Sequence, residues 1–214
     1  DDNEVTRRGL NFIESRAGLE QPFALFLSYN NPHDIYEFNN ETIDSFDTTT
    51  ALPSTWSDQD FSHTPQIQLE YMEQDQGSVI FGKNDSSWKR YRELYREKTA
   101  MYDHELGKII KALHRTDSAD NTLKIITSDH GDMDTQHRLI YKGPFMYEHM
   151  MRVPLIIQLP ESLRSDSTPS KIVYPTVNVD LSPTIADIAG IPFPLSDGIS
   201  LKPALLGESK VHHR

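Results

Sequence analysis

The sequence predicts an α/β fold, a mixed and largely parallel sheet flanked by helices, on three observations. Apolar runs of strand length at 23–29, 123–127 and 153–159 alternate with segments of helical periodicity. The first two runs pass directly into polar clusters, Asn30-Asn31-Pro32-His33 and Ser128-Asp129-His130. The 214-residue length is enough for a buried core that needs no disulfide or metal staple.

Each element has its own signal. Leu10, Phe12, Ile13 and Ala17 recur at helical spacing within 5–17, and Arg16-Ala17-Gly18 supplies a basic last turn and a terminating glycine. Pro22 opens Phe23-Ala24-Leu25-Phe26-Leu27-Ser28-Tyr29, apolar on both faces and so expected as a central, covered strand. Residues 35–88 read as a long connection with short helical pieces, one of them near 66–74. From 89 to 114 Tyr91, Leu94, Tyr95, Met101, Tyr102, Leu106, Ile109, Ile110 and Leu113 form one apolar stripe, the mark of a long amphipathic helix. A short helix at 147–151 precedes the third strand, and 161–171 is a Ser/Pro-rich surface loop. Ser182-Pro183 reads as an N-cap and first-turn pair for a helix over 184–189, closed by Gly190.

Composition excludes several functions. The net charge of 21 − 32 = −11 lacks the basic face that nucleic-acid or anionic-membrane binders need. No apolar run is long enough to span a bilayer. The absence of Cys removes thiol nucleophiles and thiolate metal sites. Asp1-Asp2-Asn3-Glu4 is the opposite of a signal-peptide start, and the chain is read as a fragment of a longer protein.

Ligands in an α/β sheet bind beyond the carboxyl ends of its strands. His33, Asp129 and His130 are therefore expected at one edge, with Asp129 and His130 offering an oxygen and a nitrogen to a divalent cation. From the residues alone an Asp-His-Gly after a strand, such as Asp129-His130-Gly131, is more often an Asx turn than a metal site. Asp132 and Asp134 are expected to be solvated, His104 and His114 to lie on the polar edge of the long helix, and His149 to be structural. Glu148 and Arg152 stand at helical i, i+4 spacing. Trp56 and Trp88 are expected under the long connection, and His212-His213-Arg214 is a terminus without assigned function.

The stretch Asn121-Thr122-Leu123-Lys124-Ile125-Ile126-Thr127-Ser128-Asp129-His130-Gly131-Asp132 resembles the C-terminal part of the sulfatase catalytic domain, within the alkaline-phosphatase-like superfamily. Lys142-Gly143-Pro144-Phe145-Met146-Tyr147-Glu148 and Arg152-Val153-Pro154-Leu155 continue the likeness. Further blocks follow the family's order: Pro22-Phe23 through Asn31-Pro32-His33-Asp34, the Leu106-Gly107-Lys108 helix end, Asp180-Leu181-Ser182-Pro183-Thr184 through Gly190, and Gly198-Ile199-Ser200-Leu201 with Leu205-Leu206-Gly207. The likeness makes 1–214 a partial, incomplete catalytic domain of the alkaline-phosphatase-like fold, with 35–88 a loop region or insertion within it.

What the resemblance implies is specific. Asp129 and His130 match two ligands of the active-site cation, calcium first, with magnesium, manganese or zinc as alternatives. Lys142 matches the lysine that contacts the sulfate, His33 the histidine near the leaving oxygen, and His137 a substrate-side position. Asp134-Thr135 stand where Leu-Gly is common, which puts the aim of His137 in question. The family's formylglycine nucleophile, made in a C/S-x-P-S-R motif, is expected upstream and is absent from this chain; Ser167-Thr168-Pro169-Ser170-Lys171 is read as surface loop. The implied function is hydrolysis of sulfate esters of small molecules or glycans, in a periplasmic, secreted or lysosomal-type compartment. Alternatives are a phosphatase, phosphodiesterase or phosphonate hydrolase of the same superfamily, or a non-catalytic remnant with a binding or structural role. His33, Asp129, His130 and Lys142 are expected in one pocket. The chain alone is expected to be inactive, and to self-associate or pair with the missing N-terminal part.

Overall fold

A computed structural model describes residues 2–33 and 49–208; the remainder of the 35–88 connection up to residue 48, and the 212–214 terminus, lie outside the described residues. The chain forms two compact units, Asp1–Asp117 with His130–Pro154, and Ser118–Asp129 with Leu155–Arg214.

The first unit is helical. Among the described residues its α-helices are α1 (Asp2–Ser15), α2 (Ser54–Ser57), α3 (Gln66–Gln74), α4 (Asp85–Arg115) and α5 (Glu148–Met151). Acidic Asp2 and Glu4 sit in the first turn of α1, where they complement the N-terminal end of the helix dipole. Glu4 also accepts hydrogen bonds from Arg7 and Arg8, which hold its carboxyl down at about 2. The buried face of α1 carries Thr6, Gly9 and Ile13, and a Cβ on Gly9 would stand 3.0 Å from both Ile109 of α4 and Leu27. That glycine lets the helices approach closely. Helix α4 begins four residues before the predicted start at 89, because the Asn84 side chain accepts from the Ser87 N–H and caps it. It runs 31 residues, about 46 Å at 1.5 Å per residue.

Apolar clusters of described residues pack inside this unit. One joins Ile80, Trp88, Tyr91, Ile140 and Tyr141, with Trp56 packed edge-on to Trp88. Another joins Tyr71, Met72, Met133, Leu139 and Met150. The exposed Glu148–Arg152 pair forms across 3.6 Å.

Residues 23–29 depart from expectation. They join no ladder among the described residues, but their burial alternates with period two. Phe23 packs edge-on to Phe12, the Tyr29 hydroxyl meets Thr6, and the Tyr29 ring meets Tyr102, while Phe26 is 85% exposed. The segment is extended as predicted, yet helices cover only one face.

The second unit holds the sheet. Strands β1 (Lys124–Thr127) and β2 (Leu155–Gln158) pair antiparallel, with Ile126 opposite Ile156. Among the described residues the sheet has two strands and one antiparallel pairing, which does not by itself display the largely parallel sheet expected. Leu155 and Ile157 face a cluster of Leu159, Leu201 and Leu205. Helices α6 (Leu181–Ile188) and α7 (Lys202–Leu205) complete it. Helix α6 starts earlier than Ser182 suggested, with Asp180 at the cap position and Ser182-Pro183 inside the first turn. The Asp180 carboxylate, in a residue only 3% exposed, accepts the Val177 and Ile199 N–H groups. A Cβ at Gly198 would fall 2.1 Å from the Val179 carbonyl oxygen, so only glycine fits where the returning chain crosses. Gly190, at φ +71, ends α6 as read, and the Ile191 N–H returns to the Ala186 carbonyl.

Thr184 is the polar pin of this unit. Its buried hydroxyl donates to the Asp180 carbonyl and accepts from the Leu201 N–H. Thr184→Val keeps the shape and strands that N–H, and should cost about 1–3 kcal/mol in urea denaturation. Thr184→Ser, which keeps the hydroxyl, should cost less than half as much.

Candidate active site

Strand β1 ends at Thr127 and the chain reaches exposed Asp129, whose carboxylate lies 3.4 Å from the Ser128 hydroxyl. The next residue, His130, belongs to the first unit. Gly131 fixes its course. The Gly131 N–H donates to the Met150 carbonyl at 2.8 Å, and a Cβ there would stand 1.9 Å from the His149 carbonyl oxygen.

The His130 ring has a defined tautomer. Its Nδ1 lies 2.8 Å from the Gly131 carbonyl oxygen and its Nε2 lies 3.4 Å from Lys142 Nζ. A carbonyl can only accept and an ammonium can only donate, so Nδ1 carries the proton and Nε2 the lone pair. Lys142 and His130 thus form one small polar site.

The loop between them is strained and stapled. Asp134, Thr135, His137, Arg138 and Tyr141 all have φ between +40 and +69, left-handed values at residues that carry side chains. Tyr91 of α4 holds both ends: its hydroxyl lies 3.3 Å from the Asp132 carboxylate and accepts the Tyr141 N–H at 3.0 Å. Adjacent Arg92 forks onto the Asp134 carboxylate and also donates to the Ala51 carbonyl. Asp132 accepts the Asp134 N–H at 2.7 Å. Burial pushes the Asp132 carboxyl up to about 7, opposed by that N–H and helped by the Asp134 charge. The expectation that Asp132 and Asp134 are solvated is therefore corrected: they are the internal ties of the loop. Thr135 takes φ +69, a glycine-like backbone angle, and is fully buried, its hydroxyl without a partner among the described residues.

His137 sits beyond these ties. Its Nδ1 lies 2.8 Å from Gln59 Oε1, and its ring stacks on Tyr147 with centroids 4.6 Å apart. Tyr147 donates to Gln68 of α3. Burial lowers the His137 pKa, with the His149 ring a lesser cause. Arg138 lies over Trp56 and Phe61 and donates to the Trp56 carbonyl.

Of the four residues expected to converge, His130 and Lys142 are in contact. His33 stands on a different, exposed turn of the same unit, where Asp2 of α1 accepts the Asn30 and Asn31 N–H groups. Asp129 belongs to the second unit. Tyr91, Arg92, Gln59 and Tyr147 carried no site signal in the sequence, since each acts on a residue at least 10 positions away.

A metal ion needs more than these residues provide. No group of three or more His, Cys, Asp or Glu side chains is arranged to hold one among the described residues. Asp129 and His130 give one oxygen and one nitrogen, short of the six to eight oxygens a calcium ion takes. They do not make a cation site by themselves.

Comparison with known proteins identifies the pattern. The sulfatase family model matches residues 1–191. The chain is 28% identical over 199 residues to a Delta 4,5-hexuronate-2-O-sulfatase of Bacteroides thetaiotaomicron, covering 89% of this chain and 41% of that protein. It is 33% identical over 229 residues to arylsulfatase K of Gallus gallus, covering 98% of this chain and 40% of that protein. A solved 2-O GAG sulfatase superposes with TM-score 0.78 at 26% identity, over 99% of this chain and 47% of that one. The chain thus spans about two-fifths of the length of the curated relatives it matches.

The ties to α4 can be tested directly. Arg92→Ala, at a side chain only 14% exposed, should lower stability by about 1–3 kcal/mol in urea denaturation, whereas Arg8→Ala on the surface should change it by less than about 1 kcal/mol. Gly131→Ala should destabilise by about 1–3 kcal/mol, because the methyl group meets backbone rather than a movable side chain.

Proposed function

This chain belongs to the sulfatase family, and on that premise we propose that it carries the lysine–histidine part of a site for hydrolysing sulfate esters of glycans. The observation that supports it is Lys142 Nζ beside His130 Nε2, on a loop tied at both ends to one long helix. During S–O cleavage negative charge grows on the sulfate and leaving oxygens. The Lys142 ammonium, held in place beforehand, stabilises that charge without reorganising. An alkoxide leaves poorly, and His33 is the proton donor proposed for the departing oxygen. Asp129 and His130 contribute two donors toward a divalent cation, calcium by preference, only together with ligands from outside these residues. The formylglycine nucleophile is likewise outside them, since the chain holds neither Cys nor a C/S-x-P-S-R sequence.

The glycan assignment is supported by relatives named for a hexuronate 2-O-sulfate and a 2-O GAG sulfate. A periplasmic, secreted or lysosomal-type setting goes with that substrate. No helix among the described residues is long and apolar enough to cross a membrane.

In an enzyme that joins these residues to the nucleophile-bearing portion, Lys142→Ala should lower kcat and kcat/KM by about 100-fold or more while the melting temperature holds. Activity that falls only in step with the folded fraction would make Lys142 structural. Residues 1–214 alone, given calcium and an aryl sulfate, should show no sustained turnover. Turnover abolished by Asp129→Ala would overturn the incomplete-site reading.

A further inference from the structure

We propose that Gln59 is a positioning residue that holds His137 in its Nδ1–H form, so that His137 Nε2 accepts a hydrogen bond from a substrate hydroxyl rather than meeting the sulfate group. This rests on the sulfate-ester reading for the substrate but not for the tautomer.

The orientation of the Gln59 amide is set by its own second contact. Its Nε2 donates to the Asp60 carbonyl at 3.2 Å, which turns Oε1 toward His137. An amide oxygen has no proton to give, so His137 Nδ1 must be the donor across the 2.8 Å contact. A neutral imidazole carries one N–H, which leaves Nε2 with its lone pair. Stacking on Tyr147, itself tied to Gln68, fixes the plane of the ring and hence the line along which Nε2 points.

The surroundings favour the neutral ring. The groups around it are His149 with ring centroids 6.5 Å away, the Tyr147 face, and the Arg138 guanidinium drawn onto Trp56 and Phe61. The two carboxylates flanking Gln59 are engaged locally, Asp58 by the Ser57 hydroxyl and Asp60 by the Ser62 N–H and hydroxyl. Burial and His149 both lower the ring's affinity for a second proton. A bare Nε2 lone pair repels sulfate and carboxylate oxygens, which can only accept, and suits an O–H donor. Among sulfate esters this selects carbohydrates over aryl sulfates that lack a hydroxyl. Lys142 and His137 would then divide the substrate between them, cation to anion and acceptor to hydroxyl.

The test is long-range 1H–15N NMR of the 214-residue chain labelled at histidine, with the His137 signals assigned by their loss in His137→Asn. The neutral ring should show Nδ1 protonated and Nε2 bare. Gln59→Leu should populate the other tautomer, and Gln59→Glu should restore the Nδ1–H form while raising the pH midpoint of the ring. An Nε2–H ring in the native chain, or a tautomer unchanged in Gln59→Leu, overturns the positioning role. Titration with methyl glucopyranoside should move the His137 Nε2 shift, and sodium sulfate should not. No response to the glycoside, or a response to sulfate alone, overturns the hydroxyl assignment. In the longer enzyme Gln59→Leu should raise KM for a sulfated sugar about ten-fold, with kcat kept and an aryl sulfate unaffected. If the NMR results hold and that enzyme hydrolyses no sulfate ester, the sulfatase reading fails while the hydroxyl-accepting histidine stands.

Discussion

One phenol oxygen carries the first unit's chemistry. The Tyr91 hydroxyl touches the Asp132 carboxylate on one side and takes the Tyr141 N–H on the other, so the two ends of a strained loop meet at a single atom. Left-handed backbone at five side-chain-bearing residues costs of order 1–3 kcal/mol each where nothing enforces it. Tyr91, fully buried in the core, and Arg92, beside it on the Asp134 carboxylate, are the enforcement. Lys142 follows Tyr141 directly, and His130 lies two residues before Asp132. Both site residues therefore inherit their positions from a helix to which neither belongs.

The second unit solves a similar problem with a carboxylate. Asp180 gathers the Val177 and Ile199 N–H groups, and Thr184 one turn on gathers Leu201. Segments separated by about twenty residues are thereby closed on the start of α6, while Gly198 leaves room for the crossing. In each unit a buried side chain satisfies backbone groups that no regular ladder reaches, which is the general requirement for irregular chain in a protein interior.

Much of this was legible in the residues. Helix α3 falls on 66–74 as read, and α1, α4, β1 and β2 fall within a few residues of their patterns, because each rests on local periodicity or a cap. The sheet was less legible, since an apolar run such as 23–29 specifies extended backbone but not the neighbour that would pair with it. Ser182-Pro183 resembled a helix start because those residue types suit one, yet Asp180, held by two backbone N–H groups, sets the start earlier. At the candidate site, His130 and Lys142, which the structure brings into contact, both lie in blocks that the motif singles out. The partners that orient the histidines do not: Gln59 meets His137 across 78 positions, and Tyr91 meets Tyr141 across 50. Nor does sequence alone announce that Thr135 will take a glycine's backbone angles.

The extended stretch 23–29 has a mechanical meaning. Without a ladder among the described residues, it is gripped there by side chains: Phe23 on Phe12, Tyr29 on Thr6 and Tyr102, and the following turn on the Asp2 carboxylate. Three of those grips belong to α1 and one to α4. The turn that bears His33 is thus geared to the crossing of these two helices at Gly9. A change in that crossing angle would be felt along the extended arm and at the turn it leads into.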